Sequence, residues 1–298
     1  MADLAPVTNP PATSAPRRRL RLPRANGWGT ALAVVWMGIM ILGAALVDFL
    51  PLAEARDPSN ALLSPSNQFP DLTSDHPLGT ESQGLDILGG VLYGARVSLV
   101  VGIGGVVIGA VLGGAIGLIA GYRGGWADRV VSVLVDTLLA FPSLILLIAI
   151  VTVLNPTLLN VTFALGVMVI PAYARLVRAN AMSFSKREFV TAARSLGAGE
   201  IRIMLREVAP NIVQAVFSYS FMMVAVLIVA EASLSYLGLS IPRPEPTWGN
   251  MIAAGQSDFQ TYPFLVGIPG VVLFLTVLSL NQIGEAAGRK WNPTAAKI

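Results

Sequence analysis

Residues 95–121 read ARVSLVVGIGGVVIGAVLGGAIGLIAG, and this stretch establishes the class of the 298-residue chain. It is almost entirely apolar and exceeds the roughly 20 residues that a helix needs to cross the hydrocarbon core of a bilayer. Glycine recurs in it at every fourth position, at Gly105, Gly109, Gly113, Gly117 and Gly121. On a helix this spacing makes a glycine ridge, a line without side chains along which a second helix can approach closely. We therefore predict a tightly packed membrane helix and interpret the glycine ridge as a packing feature, not as part of a substrate path.

Five further apolar stretches predict a bundle of about six transmembrane helices. Together the six stretches cover residues 28–50, 95–120, 129–153, 157–177, 211–239 and 262–285. The first is too long for a removed signal peptide and lacks a small-residue cleavage site, so we expect the protein to retain it. The composition agrees, because 54% of the residues are hydrophobic and only 12% are charged. The predicted fold class is an all-α polytopic membrane protein.

The composition also argues against several kinds of chemistry. The chain has no cysteine, which excludes disulfides, thiolate nucleophiles and cysteine metal sites. Its single histidine, His76, leaves little for histidine-based catalysis or metal binding. It has no glycine-rich phosphate loop that ends in Lys-Ser or Lys-Thr. We therefore expect no enzymatic activity, no ATPase site and no bound cofactor or metal in this chain.

The basic residues predict the orientation in the membrane. If the N-terminus is cytoplasmic, 17 of the 20 lysine and arginine residues fall on the cytoplasmic side. Seven of these lie in the loop after the fourth stretch, from Arg175 to Arg206, and only Arg56, Arg96 and Arg243 fall outside. We therefore expect both termini to be cytoplasmic. The same bias explains the net charge of +3 without a nucleic-acid partner.

Two segments are then expected outside the membrane on the other side. Residues 51–94 form the longer one and carry six carboxylates, and residues 240–261 form the second, which is rich in proline and contains Trp248. Both are suited to receiving a soluble partner. Composition alone is equally compatible with solvated connections.

Two acidic residues, Asp136 and Glu231, lie within predicted spans. A charged side chain at the bilayer centre costs about 2.5–3.5 kcal/mol on insertion scales, so each should face the bundle or water. Two acids without an evident basic partner make a poor proton relay, so we favour a hydrogen bond between helices or a position near the interface. The dipeptide Phe141-Pro142 should bend or break the same helix as Asp136, either as a gate hinge or as an ordinary irregularity, because proline removes a backbone donor.

The charged segment SKREFVTAARSLGAGEIRIMLREVAPN, residues 185–211, is longer than a connection between two spans requires. Ser185 and Glu188 have the S-x-x-E spacing of a capping box, which predicts a helix start at Ser185. Gly197 stands where a helix can end in a left-handed turn. A second short helix should follow through Ile201, Met204 and Val208, and Pro210 should mark the entry to the next span.

One face of the first predicted helix is apolar, because Phe189, Ala192 or Ala193, and Leu196 recur at helical spacing. Arginines would also allow the segment to rest on anionic lipid. The mixed charges and the central glycine turn favour a groove on another protein over a lipid surface.

The order of Thr191-Ala192-Ala193, Gly197 and Pro210 resembles the EAA loop of permease subunits in ATP-binding-cassette (ABC) importers. The sequence from about Asp75 onward is similar to the dipeptide, oligopeptide and nickel subfamily of these permeases. The motifs that carry the similarity include HPLGTESQGLDIL (76–88), DTLLAFPSL (136–144), REFVTAARSLGA (187–198), AEASLSYLGL (230–239) and PTWGNM (246–251). Thr191 departs from the pattern, because the family usually has glutamate at this position.

The resemblance implies the type I ABC importer permease fold in a bacterial or archaeal cytoplasmic membrane. The implied partners are a second homologous permease subunit, two ABC ATPase subunits that bind ATP and Mg, an extracytoplasmic solute-binding protein and membrane lipid. Coupling helices at residues 185–209, called here the coupling segment, would dock on one ATPase. The implied coupling residues are Glu188, Phe189, Thr191, Ala192, Ala193, Leu196, Gly197 and Pro210.

The implied solute is a dipeptide or oligopeptide, with a nickel chelate or glutathione as alternatives. A secondary transporter driven by an ion gradient is less favoured, because the chain shows no convincing internal repeat. The predicted organisation is a disordered basic tail, a first transmembrane helix, an extracytoplasmic loop, a permease core of five spans that includes the coupling segment, and a short tail. The corresponding residues are 1–27, 28–50, 51–94, 95–290 and 291–298.

Overall fold

The computed structural model describes residues 27–50, 52, 55–61 and 64–291, and these ranges form α-helices with short 3-10 and π segments. The predicted tails, up to residue 26 and from residue 292, lie outside the described residues. The helices, in chain order, are α1 (Gly27–Leu46), α2 (Pro58–Ala61), α3 (Ile87–Arg123), α4 (Gly125–Ala140), α5 (Ser143–Val153), α6 (Leu158–Phe184), α7 (Glu188–Ser195), α8 (Glu200–Ile203), α9 (Ala209–Tyr236), α10 (Trp248–Gly255) and α11 (Phe264–Trp291).

The prediction of about six spans is confirmed. Within the described ranges, five helical stretches are long and apolar enough to cross a membrane, and the pair α4 and α5 meets at a bend of 89°. The bend lies at Phe141 and Pro142, where the sequence predicts a break. The glycine ridge of α3 and its neighbours on α6 advance in the same direction, so these two helices run parallel. The α4–α5 pair must therefore carry the chain back between them and counts as one broken span.

Two predicted boundaries are wrong. The outer segment does not extend to residue 94, because α3 begins at Ile87. Asp86 caps this helix, and its carboxylate accepts a hydrogen bond of 2.8 Å from the Gly89 N–H. The fourth stretch does not end near residue 177, because α6 continues to Phe184. The N-cap at Asp86 is a local signal that marks the start of α3. The apolar pattern of α6 ends before the helix does, so it does not mark the end of that helix.

The glycine ridge packs directly against α6. A Cβ atom added at Gly113 would lie 2.4 Å from the Ile170 carbonyl oxygen, and one at Gly117 or Gly121 would lie equally close to a backbone oxygen of α6. Glycine is the one residue that permits this approach of two helix backbones. The pair α3 and α6 forms the centre of the bundle, with α9 packed across it and α11 against α9.

The two ends of the bundle hold different elements. Gly27, the end of α3 at Arg123, the coupling segment and the end of α11 lie at one end, which we call the inner end. Residues 64–86 and 240–261 lie at the opposite, outer end. The arrangement follows from the alternating directions of the helices. For example, Gly29 at the start of α1 lies beside Gln282 near the end of α11.

Candidate functional site

The first helix of the coupling segment is α7, and it begins at Glu188 rather than at Ser185. The predicted capping box at Ser185 is wrong, because Ser185 closes the preceding helix instead. Its N–H donates to the Ala181 carbonyl at 2.9 Å, and its hydroxyl donates to the Met182 carbonyl at 3.1 Å. Arg187 is the N-cap of α7 and makes no side-chain capping bond. The acidic Glu188 in the first turn complements the positive end of the helix dipole.

The left-handed turn predicted at Gly197 is present, with a φ of +83°. The Gly197 N–H donates to the Arg194 carbonyl at 3.0 Å, and the Ala198 N–H donates to the Ala193 carbonyl at 3.1 Å. This pair of bonds is the Schellman motif, which satisfies the last carbonyl groups of a helix. The turn therefore fixes the direction in which the chain leaves α7.

The second helix of the coupling segment is not separate from the next span. The segment α8, a π turn at Met204–Val208 and α9 form one continuous helical stretch of 37 residues from Glu200 to Tyr236. Helix α9 begins at Ala209, so the next span starts where Pro210 predicts it, but the predicted second helix is wrong in being separate from that span. Proline lacks an N–H, and the preceding turn widens so that the Ala209 N–H bonds to the Met204 carbonyl five residues back.

One side of the coupling segment is fixed to the inner end of the bundle. Val190, Ile203 and Val208 are fully buried and belong to a compact apolar cluster with residues of α6 and α9. Ala193 and Ala198 pack against the same cluster. Burying each of the larger side chains contributes about 1.5–3 kcal/mol, so the segment is held as part of the bundle.

The opposite side presents apolar side chains at the surface. Leu196 is 88% exposed, Ile201 64% and Leu205 54%, and Phe189 is also exposed. Thr191 and Ala192 face the same surroundings, whereas Ala193 is half-buried against the bundle. Of the two alanines predicted for the apolar face, only Ala192 is therefore on the exposed side. Exposed apolar groups at the inner end, beside charged groups, are the feature expected of an interaction surface.

Charged groups border that surface. Tyr122 at the end of α3 donates a hydrogen bond of 2.5 Å to Glu200, and Arg194 lies 3.3 Å from the same carboxylate. These residues line an open groove of about 630 Å³ together with Arg123, Ile201 and Met204. The groove offers both charges and apolar contacts beside the turn at Gly197.

Asp136 has a basic partner, contrary to the prediction. Its carboxylate lies 2.5 Å from the Arg175 guanidinium, and Asp128 forms a second pair with Arg178. Both arginines lie in α6, whereas the count of basic residues had assigned them to a loop. The two ion pairs join α4 to α6. The sequence does carry a signal for these pairs, because the two acids are about two helical turns apart and the two arginines are one turn apart. This spacing does not indicate which acid pairs with which arginine.

Glu231 is fully buried in α9 near the outer end. Its Oε1 accepts a hydrogen bond of 3.1 Å from Ser240, four residues beyond the helix. Its Oε2 has no hydrogen-bond partner within the described ranges. The favoured hydrogen bond between two helices is therefore absent there, and the carboxyl group is instead tied to the outer segment that follows its own helix.

The two outer segments form one packed cap on the outer end. Arg243 donates two hydrogen bonds, of 2.9 and 2.5 Å, to the Glu81 carboxylate. Trp248 is fully buried, and its indole N–H donates to the Val91 carbonyl of α3 at 3.0 Å. Burial raises the pKa of Asp86 at the base of this cap, although hydrogen bonds from the Gly89 N–H and His76 oppose the shift. The segments are therefore not freely solvated connections.

Comparisons with known proteins agree with this architecture. Residues 113–290 match the family described as the binding-protein-dependent transport system inner membrane component. The chain is 39% identical over 213 residues to the glutathione transport system permease protein GsiD of Pectobacterium atrosepticum, which covers 72% of this chain and 71% of the relative. It is 36% identical over 254 residues to the dipeptide transport system permease protein DppC of Alkalihalophilus pseudofirmus, with 85% and 83% covered.

A third relative extends the match. The chain is 37% identical over 264 residues to the di/tripeptide transport system permease protein DppC of Pseudomonas aeruginosa, with 86% of this chain and 85% of the relative covered. The matched region includes all of the coupling segment. The chain therefore belongs to the inner-membrane permease components of binding-protein-dependent ABC importers, in the dipeptide and oligopeptide family.

Proposed function

We propose that this chain is the permease subunit of an ATP-driven importer that moves dipeptides, oligopeptides or the related tripeptide glutathione across a bacterial or archaeal cytoplasmic membrane. A nickel chelate is the alternative solute within the same family. The observation that carries the proposal is the coupling segment, which is anchored to the bundle on one side and exposes Leu196 and Ile201 on the other. The substrate class is supported by the named relatives, which transport dipeptides, tripeptides or glutathione.

The proposed assembly contains two permease subunits, two ABC ATPase subunits and a solute-binding protein outside the membrane. The ATPases bind ATP and Mg, and this chain holds neither. The exposed surface of α7 and α8 contacts one ATPase, and the outer cap faces the solute-binding protein. The exposed apolar side chains and the mixed charges beside them support this role for α7 and α8.

The continuous helix from Glu200 to Tyr236 gives the proposed coupling a physical route. At 1.5 Å per residue it is about 55 Å long. Ile201 at its inner end lies on the proposed ATPase surface, and Ser235 at its outer end contacts Thr247 of the outer cap at 2.5 Å. A displacement imposed by ATPase closure is therefore carried along one helix to the opposite end. Two arrangements of similar free energy, biased by the nucleotide state, complete the cycle.

The test of the function is uptake by the reconstituted assembly. We expect labelled dipeptide to accumulate in vesicles only with ATP, the solute-binding protein and an active ATPase, and uptake to stop when the phosphate-binding lysine of the ATPase is replaced. The chain should co-purify with that ATPase and with a sibling permease. Accumulation that follows an ion gradient and survives loss of the ATPase would instead identify a secondary transporter.

The proposed orientation is tested by labelling single cysteines. The chain has no native cysteine, so Ser66→Cys and Ser195→Cys each introduce one exposed thiol without background. Ser66 lies at the outer end and Ser195 lies in the coupling segment. In intact cells, a membrane-impermeant maleimide should label the cysteine at 66 and should label the cysteine at 195 only after the membrane is opened. The reverse pattern would overturn the orientation.

A further inference from the structure

A polar cavity of about 260 Å³ opens between the inner ends of α6, α9 and α11. It is separate from the exposed surface of the coupling segment. Its lining includes Asn180, Phe184, Asn211, Gln214, Ser218 and Gly288. Among the described residues that line it, none carries a charge.

The amide groups of the lining are available to a ligand. The side-chain N–H groups of Asn180 and Asn211 donate to backbone carbonyls of their own helices, at 2.8 and 2.6 Å, which leaves their side-chain oxygens free to accept. The Gln214 side chain has no hydrogen-bond partner in the described part of the chain, and it offers a donor and an acceptor. Asn211 and Gln214 are exposed, so water or a solute can reach their free amide groups.

The polar groups that α9 contributes to the cavity lie on one face of the helix. Asn211, Gln214 and Ser218 fall at i, i+3 and i+7, so they form a polar stripe on one face of an otherwise apolar helix. The neighbouring Val213 points away from this stripe, into an apolar groove that it lines with residues of α3 and α6. Helix α9 therefore has a polar side and a lipid-compatible side at the same depth.

We propose that this cavity is the inner mouth of the solute passage, and that its amide groups bind the peptide bonds of the solute. This inference rests on the proposed function. Amides donate to and accept from a peptide backbone in the same way whatever side chains the peptide carries. Because the described lining has no charged side chain, the cavity binds the backbone that all peptides share and does not select peptides by side-chain charge.

The test uses three single-cysteine variants of this chain, Gln214→Cys, Ser218→Cys and Val213→Cys, each reconstituted with its partner subunits. The chain has no cysteine, so each thiol is the only one that this subunit contributes. A charged methanethiosulfonate reagent modifies thiols in contact with water. We expect it to modify the cysteines at 214 and 218 from the inner side, and to leave the cysteine at 213 unmodified because that position faces apolar surroundings.

Modification at 214 or 218 should lower dipeptide uptake by roughly tenfold or more, a change equivalent to about 1.4 kcal/mol. When the modification is repeated with an uncharged methanethiosulfonate, which adds bulk without charge, the loss should be the same for dipeptides with acidic, basic and neutral side chains. Gln214→Leu, which removes the amide, should raise the KM for all three peptides. Thermal unfolding of each purified assembly shows that the variants are folded.

Two outcomes separate this inference from the function on which it rests. Normal uptake after complete modification at 214 and 218 would show that the cavity lies off the passage, and would leave the proposed function intact. A wild-type assembly that transports no dipeptide would instead count against the proposed function. With the uncharged adduct, a loss that depends on peptide charge would overturn the recognition of peptide bonds.

Discussion

Replacing Gly113 by valine is expected to prevent the bundle from folding. The Cβ atom of any residue at this position would lie 2.4 Å from the Ile170 carbonyl oxygen and 2.8 Å from the Tyr173 Cβ. Neither neighbour can yield, because one belongs to the α6 backbone and Tyr173 is fully buried. Overpacking a core costs about 1–3 kcal/mol even where side chains can adjust. We expect a cost above that range here, because two helix backbones would have to separate.

The next residue supplies the control. A Cβ atom at Gly114 would meet its nearest neighbour, the Val177 side chain, only at 4.0 Å. Gly114→Val therefore makes the same change in the same helix turn and should leave folding intact. The measurement is the yield and thermal unfolding of purified protein in detergent. Equal yields and unfolding temperatures for the two variants would show that the close approach of α3 to α6 does not limit stability.

Replacing Gly197 by threonine is expected to weaken ATPase binding and dipeptide uptake while the bundle still folds. The φ of +83° at this position disfavours any residue with a Cβ atom, and β-branched residues most strongly. A left-handed conformation costs a residue other than glycine about 1–2 kcal/mol, which corresponds to a factor of roughly 5–30 in an equilibrium. Because nothing within 4 Å of Gly197 obstructs a side chain, the chain relieves the strain by changing the turn. That change displaces Leu196 from the proposed ATPase surface.

Gly199→Thr is the matched control for this change. Gly199 also has no atom within 4 Å of an added Cβ, but its φ of −70° and ψ of 153° suit threonine, which is a favourable N-cap residue for α8. We expect ATPase binding and dipeptide uptake to fall 5- to 30-fold for Gly197→Thr and to change little for Gly199→Thr. Binding is measured with the detergent-purified permease. Equal affinities would exclude a role for the turn in the interaction.

Local signals in the sequence predict much of the fold. A run of some 20 apolar residues requires a helix in lipid wherever it occurs, so the spans follow from the sequence without knowledge of their neighbours. The glycine ridge and the turn at Gly197 are also local, because each depends on what a missing side chain permits. The resemblance of the coupling segment to the EAA loop is likewise a matter of spacing along the chain.

The features missed by sequence analysis depend on distant parts of the chain. Arg175 and Asp136 are 39 residues apart, and Arg178 and Asp128 are 50 apart, so no local pattern joins them. The capping-box spacing at Ser185 is a valid local signal, but the preceding helix extends up to Ser185, which closes it, and Ala181 in its last turn packs in the apolar cluster at the inner end. The polar cavity draws its lining from three helices and becomes visible only once they are assembled.

The unbroken helix from Glu200 to Tyr236 bears on how such a protein avoids leaking. A transporter fails if it opens to both sides at once, because small solutes and ions would then run down their gradients. Here, the surface proposed to receive the ATPase and the contact with the outer cap lie on one continuous stretch of backbone. We therefore expect the two ends to move together, since no loop lies between them. Such joint movement would oppose simultaneous opening to both sides without a separate lock.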